Sequence, residues 1–168
     1  MTSAAYPDFL CYYYRRAPTF ESILDRGKDA AQKFLRENDV AWRSEPGYLD
    51  YRMEVESWMR NQFLELGGTP ERVHPIYMSL GIERMIEQDP HYIDKLIIPI
   101  RRFDCRLISF TYSDSMHTRE GKAPRLFLKH QIPPMIDKYG SGYCEAQIWS
   151  DMPLIAIKKG YESSNRKD

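Results

Sequence analysis

Seven residues late in the chain, Tyr143-Cys144-Glu145-Ala146-Gln147-Ile148-Trp149, alternate in character. Strand side chains point to opposite faces in turn, so this run has two distinct sides. Cys144, Ala146 and Ile148 make a small apolar side, while Tyr143, Glu145, Gln147 and Trp149 make the other. An acid and an amide bracketed by aromatics either wall a site or belong to an ordinary half-solvated strand. The alternation predicts Cys144, Ala146 and Ile148 buried opposite Glu145.

The rest of the chain supplies partners for such a strand. Phe9 to Tyr14 is short, apolar and aromatic and reads as a buried strand, ended by Arg15-Arg16. Pro18-Thr19 reads as a helix start with Thr19 as N-cap. Phe20, Ile23, Leu24, Ala31, Phe34 and Leu35 then share a helical face that Gly27 divides in two. Asn38 to Gly47 reads as a loop. A long helix follows from about Tyr48 to Leu66, with Tyr48, Tyr51, Val55, Trp58, Met59 and Leu66 as its stripe and Gly67-Gly68 as its stop. Trp58 is expected to anchor the core.

His74 to Gly81 reads as a strand entering a turn, with a short helix around Ile82, Met85 and Ile86. Lys95 to Ile100 is continuously apolar after its lysine, which predicts a strand buried on both faces, with Pro99 near its end. Arg106 to Ser113 is the next strand, Ser109 and Thr111 on one face and Ile108 and Phe110 on the other. Asp114 to Pro124 reads as an exposed loop, Arg125 to Lys129 as a brief strand, and Pro133-Pro134 as the opening of a short helix closed by Gly140. After the Glu145 strand, Leu154 to Ile157 reads as a last strand or short helix, and the polar residues from Gly160 onward as a frayed end. Helices come early and strands late. That order predicts a single α+β domain over residues 1–160, a mixed or mostly antiparallel sheet with helices packed on it, and a polar tail over 161–168.

Composition narrows the function classes. The chain has 168 residues, enough for one domain with a real core. Lys plus Arg and Asp plus Glu number 24 each, which argues against bulk binding to a nucleic-acid backbone. The odd, scattered set Cys11, Cys105 and Cys144 suggests reduced thiols in a cytoplasmic protein. No basic-then-apolar leader is seen at Met1 to Tyr6, and no run approaches the ~18 apolar residues of a membrane helix.

Among chemical motifs, His74, His91, His117 and His130 lack ligand spacing, so no metal is expected, although His117 in its polar loop could reach a site. There is neither a glycine-rich phosphate loop nor a GxSxG elbow. What remains is a set of polar residues on successive strands: Arg15, Tyr77 with Ser79, Ser109 with Thr111, and Glu145 with Gln147. These either build a cleft across the sheet or face solvent.

This order of parts resembles the ADP-ribosyltransferase-like fold, shared by RNA 2′-phosphotransferases and small toxin transferases. The resemblance lies in a short aromatic strand carrying an Arg, the helix Phe20 to Gly27, the strand Pro75 to Ser79 before a short helix, the apolar strand Leu96 to Ile100, and a late strand with a Glu. It implies that NAD is the substrate nucleotide, that Arg15 holds a phosphate or ribose, that Tyr77 stacks on a nicotinamide-like ring, that Ser109 and Thr111 stand in for a Ser-Thr-Ser element, and that Glu145 is the catalytic acid. The family usually places a Gln or Glu two residues before that acid, and here Tyr143 stands there. An alignment on Gln147 instead would leave the site without its acid. Two functions follow as expectations: a nucleotide-dependent transferase, or a non-catalytic domain that binds a small ligand or a protein through an aromatic-polar sheet face.

Overall fold

The computed structural model describes residues 6–38, 43, 45–116, 126–140 and 142–165. His117, half of the loop expected over 38–47 and most of that expected over 114–124 lie outside the described residues, as do the first five residues. No helix among the described residues is long and apolar enough to cross a membrane.

Among the described residues six strands form one sheet: β1 (Phe9–Tyr14), β2 (Ile76–Leu80), β3 (Asp94–Pro99), β4 (Ile108–Tyr112), β5 (Phe127–Leu128) and β6 (Cys144–Ile148). Their order is β3-β1-β2-β6-β4-β5, and every ladder between neighbours is antiparallel. The helices are α1 (Lys28–Glu37), α2 (Tyr48–Glu65), α3 (Arg84–Glu87), α4 (Ile132–Tyr139) and α5 (Met152–Asn165). The fold is a single α+β domain with helices on an antiparallel sheet.

β6 lies inside the sheet, between β2 and β4, and every residue from Cys144 to Ile148 is buried. The alternation is real, yet neither side is solvated. Cys144, Ala146 and Ile148 join Leu10, Met78 and Phe110 in the main core, which Ile132 and Ile136 of α4 and Leu154 of α5 close. On the other side α2 brings Val55, Met59 and Phe63 against Trp149. A smaller cluster ties α1 to the start of α2 through Ala31, Leu35 and Leu49.

The break at Gly27 is present: its φ of +80 separates a 3-10 turn at Ile23–Arg26 from α1. Ser22, not Thr19, caps that turn, since its hydroxyl accepts from Leu24 N–H while Asp25 accepts from Ser22 N–H at 2.8 Å. The stop at Gly67-Gly68 has two causes. Gly67 adopts a φ of +90, and a Cβ on Gly68 would lie 2.5 Å from the Phe63 ring.

Four further expectations need correction. β3 is not buried on both faces: it is an edge strand, and Ile97 is 57% exposed. The buried stripe of α2 is Leu49, Val55, Glu56, Met59 and Phe63, while Tyr51 and Leu66 are exposed. Trp58 is half-buried at the margin of the Trp149 cluster rather than a central anchor. Finally, α5 does not stop before a frayed end but runs through Gly160 to Asn165. An edge-to-face contact between Tyr161 and Tyr14, centroids 6.0 Å apart, ties its second half to β1.

Candidate functional site

The register of the central strands assembles the polar residues. Ser79, Glu145 and Thr111 lie side by side across β2, β6 and β4, and so do Tyr77, Gln147 and Ser109. Directly paired residues share a face, so one side of the sheet carries a two-row polar array.

Half of that array is sealed. The Gln147 amide oxygen accepts from Ser109 Oγ at 3.0 Å, its amide nitrogen donates to Thr111 Oγ1 at 3.0 Å, and Trp149 Nε1 donates to Ser109 Oγ at 2.8 Å. Ser109, Thr111, Gln147 and Trp149 are all at 0% exposure. A buried hydrogen-bonded chain of this kind satisfies its polar groups and specifies one packing. Ser109, Thr111 and Gln147 therefore line neither cavity described below, and Trp149 is no part of an exposed binding face.

The other half opens to a cleft of about 630 Å³. Tyr13, Arg52, Tyr77, Glu83, Asp114 and Glu145 are among its lining residues. Glu145 is 8% exposed. Its Oε1 accepts from Ser115 N–H and from Gln147 Nε2, each at 3.3 Å, and its Oε2 accepts from the Tyr143 hydroxyl at 3.3 Å. Burial, with the Asp114 carboxylate nearby, pushes its pKa up to about 7, and the hydrogen bonds from Ser115 and Gln147 hold it from going higher. Burial and the Glu145 charge likewise push the Tyr143 phenol up, so it stays a hydrogen-bond donor.

Tyr77, the residue expected to stack on a ring, is engaged from α2. Its hydroxyl donates to Glu56 Oε1 at 2.9 Å. Arg52 Nε donates to the same oxygen at 2.9 Å, and the guanidinium carbon lies 4.9 Å from the Tyr77 ring centroid. Arg52 Nη1 reaches the Tyr48 hydroxyl at 3.3 Å, and His74 Nδ1 lies 2.7 Å from Glu56 Oε2. Glu56 itself is 1% exposed. Burial works against the Arg52 charge, but Tyr77, Glu56 and Tyr48 raise its pKa overall. Burial and then Glu56 raise that of Tyr77.

Arg15 lies in a second cavity, of about 540 Å³, with Arg16, Arg26, Phe34 and Tyr92. Its guanidinium is 6.0 Å from the Tyr92 ring centroid. Arg15 and Glu145 thus line different cavities. The two cavities share Tyr13, Arg43, Arg52 and Tyr92, so they adjoin. Sequence reasoning brought Glu145 and Tyr77 to one cleft but missed Arg52 and Glu56. Their four-residue spacing within α2 was the available signal. Among the described residues no group of three His, Cys, Asp or Glu side chains is placed to hold a metal ion.

Comparison of the chain with protein-family models, with curated proteins and with solved structures finds no match in any of the three.

Proposed function

We propose that the adjoining cavities bind a nucleotide-type ligand and that Glu145 exchanges a proton with it in a transferase reaction. The observation that carries this reading is a buried carboxyl with a pKa of about 7 at the wall of a cleft. A carboxyl so tuned works as acid or base at neutral pH. The second cavity, rich in arginine and tyrosine, suits phosphates and a ribose or base.

NAD is the first substrate to try. In that reaction the bond from the ribose anomeric carbon to the nicotinamide nitrogen breaks, and its electron pair neutralises the pyridinium. An acceptor hydroxyl or amine attaches to the carbon, and its proton passes to ionised Glu145. The same charge favours the developing sugar cation, which exists only in the transition state. Labelled NAD incubated with the purified protein should release nicotinamide. Glu145→Gln should retain ligand binding and lower turnover by a factor on the order of 10². A wild type that binds and turns over no nucleotide sinks the reading.

A second reading, binding without turnover, is favoured by one observation. Both Glu145 oxygens already accept hydrogen bonds from within the protein. Saturable nucleotide binding without product would select it.

A further inference from the structure

We propose that Arg52 anchors a phosphate-type oxyanion at the junction of the two cavities, and that Glu56 is the residue that positions it. The inference deepens the nucleotide reading by naming the group that recognises the ligand's anionic part, and it rests on the cavities being a ligand site.

The first argument is charge. Among the described lining residues, the smaller cavity sets Arg15, Arg16, Arg26, Arg43 and Arg52 against one carboxylate, Glu21. The larger sets Glu83, Asp89, Asp114 and Glu145 against Arg43 and Arg52. The sign of the lining charge therefore reverses across the shared opening. A ligand that spans both must be anionic at one end and neutral, cationic or donor-bearing at the other. Arg52 lines both cavities, so it meets such a ligand where its anionic part begins.

The second argument is preorganisation. Arg52 is held by the Glu56 carboxylate, by the Tyr48 hydroxyl and by the face of Tyr77. Its side chain is 13% exposed, so it is nearly immobile yet reaches the opening. A guanidinium already ordered loses little further freedom when an anion arrives, and its planar fork matches phosphate oxygens. Without Glu56 the same arginine would be free to swing, and Tyr77 would lose its acceptor. Glu56 is too deep to touch a ligand and acts through the side chains it holds, Arg52, Tyr77 and His74.

Calorimetric titration with inorganic pyrophosphate and with ADP tests this on the full chain. Wild type should bind both. Arg52→Lys keeps the charge but loses the fork, and Glu56→Gln keeps the shape but loses the charge that fixes it; each should weaken pyrophosphate at least tenfold. Arg101→Lys, at an exposed arginine lining neither cavity, should not. Because the α2 variants could misfold, a second measurement uses wild type alone: pyrophosphate should slow phenylglyoxal modification of Arg52, read by mass spectrometry, and leave Arg101 unchanged. Tighter ADP than pyrophosphate supports a nucleotide as the anion's source. No binding, no selective protection, or wild-type affinity in a folded Arg52→Lys overturns the proposal. Anion binding lost at Arg52 in a protein without turnover sinks only the transferase reading. Turnover with undiminished anion affinity in Arg52→Lys sinks only this one.

Discussion

The Arg52 guanidinium carbon lies over the Tyr77 ring, 4.9 Å from its centroid, and one carboxylate oxygen, Glu56 Oε1, accepts from Arg52 Nε and from the Tyr77 hydroxyl, each at 2.9 Å. A helix is thereby fastened to the polar side of a sheet by charge as well as by apolar contact.

We predict that Glu56→Gln destabilises the fold by about 3 kcal/mol, because it leaves a nearly buried guanidinium without its counter-charge. Replacing the pair together, as Arg52→Met with Glu56→Leu, should cost less than the two single changes summed. Urea unfolding of the four proteins measures this. Additive single and double values would mean that the pair does not couple.

Glu145 makes stability pH-dependent. Its folded pKa of about 7 stands above the ordinary 4.5, so the fold prefers the protonated form. The stabilisation is whole below pH 4.5, declines as the unfolded chain ionises first, and is gone above pH 7. Each pH unit in that window costs about 1.4 kcal/mol, or up to about 3 kcal/mol in all. Glu145→Gln should therefore unfold at higher urea than wild type at pH 8 and show little difference at pH 4.5. An equal gap at both pH values would contradict the raised pKa.

The two tryptophans should behave differently. Trp149→Ala should cost about 3–5 kcal/mol, because it empties a fully buried site and leaves Ser109 Oγ without its donor. Trp58→Ala, half-buried at the margin of that cluster, should cost clearly less. Thermal and urea midpoints of the pair rank them, and a costlier Trp58 would reverse the assignment.

The thiols give a cheap check on burial. Cys105 is exposed, whereas Cys11 and Cys144 are buried, and burial pushes the Cys144 thiol up to about 11. Native protein should react rapidly with a disulfide reagent at one cysteine, and at all three only when unfolded.

How much of this could be read from the residues depended on whether the polar groups obeyed a simple pattern. The two-sided Glu145 strand, the break at Gly27 and the stop at Gly67-Gly68 were legible, because alternation and left-handed glycines are local properties. The face of α2 was not. Its inward line passes from Leu49 through Arg52 and Glu56 to Met59 and Phe63, and the two charged residues hide it from any apolar count. Their four-residue spacing marks them as a pair, but the tyrosine and histidine that complete it are tertiary facts. β3 was misread for a similar reason: Leu96-Ile97-Ile98 looks the same whether a strand is flanked on both sides or left at an edge. The division of the polar array into a sealed half and an open half goes with the way α2 lies across the sheet, Val55, Met59 and Phe63 against Trp149 and Tyr48 and Arg52 at the cleft, which no strand sequence records.

One consequence follows from β6 lying between β2 and β4. The backbone carrying Glu145 is hydrogen-bonded to a neighbour on either side, so its amide can exchange with solvent only when the whole sheet opens. Around it, Glu83, Asp114 and Tyr143 come from turns and strand ends that can open at far smaller cost. The acid is thus as durable as the molecule itself, while its surroundings are free to vary. A lineage could remodel the rim for new ligands many times over without disturbing the strand that carries the carboxyl.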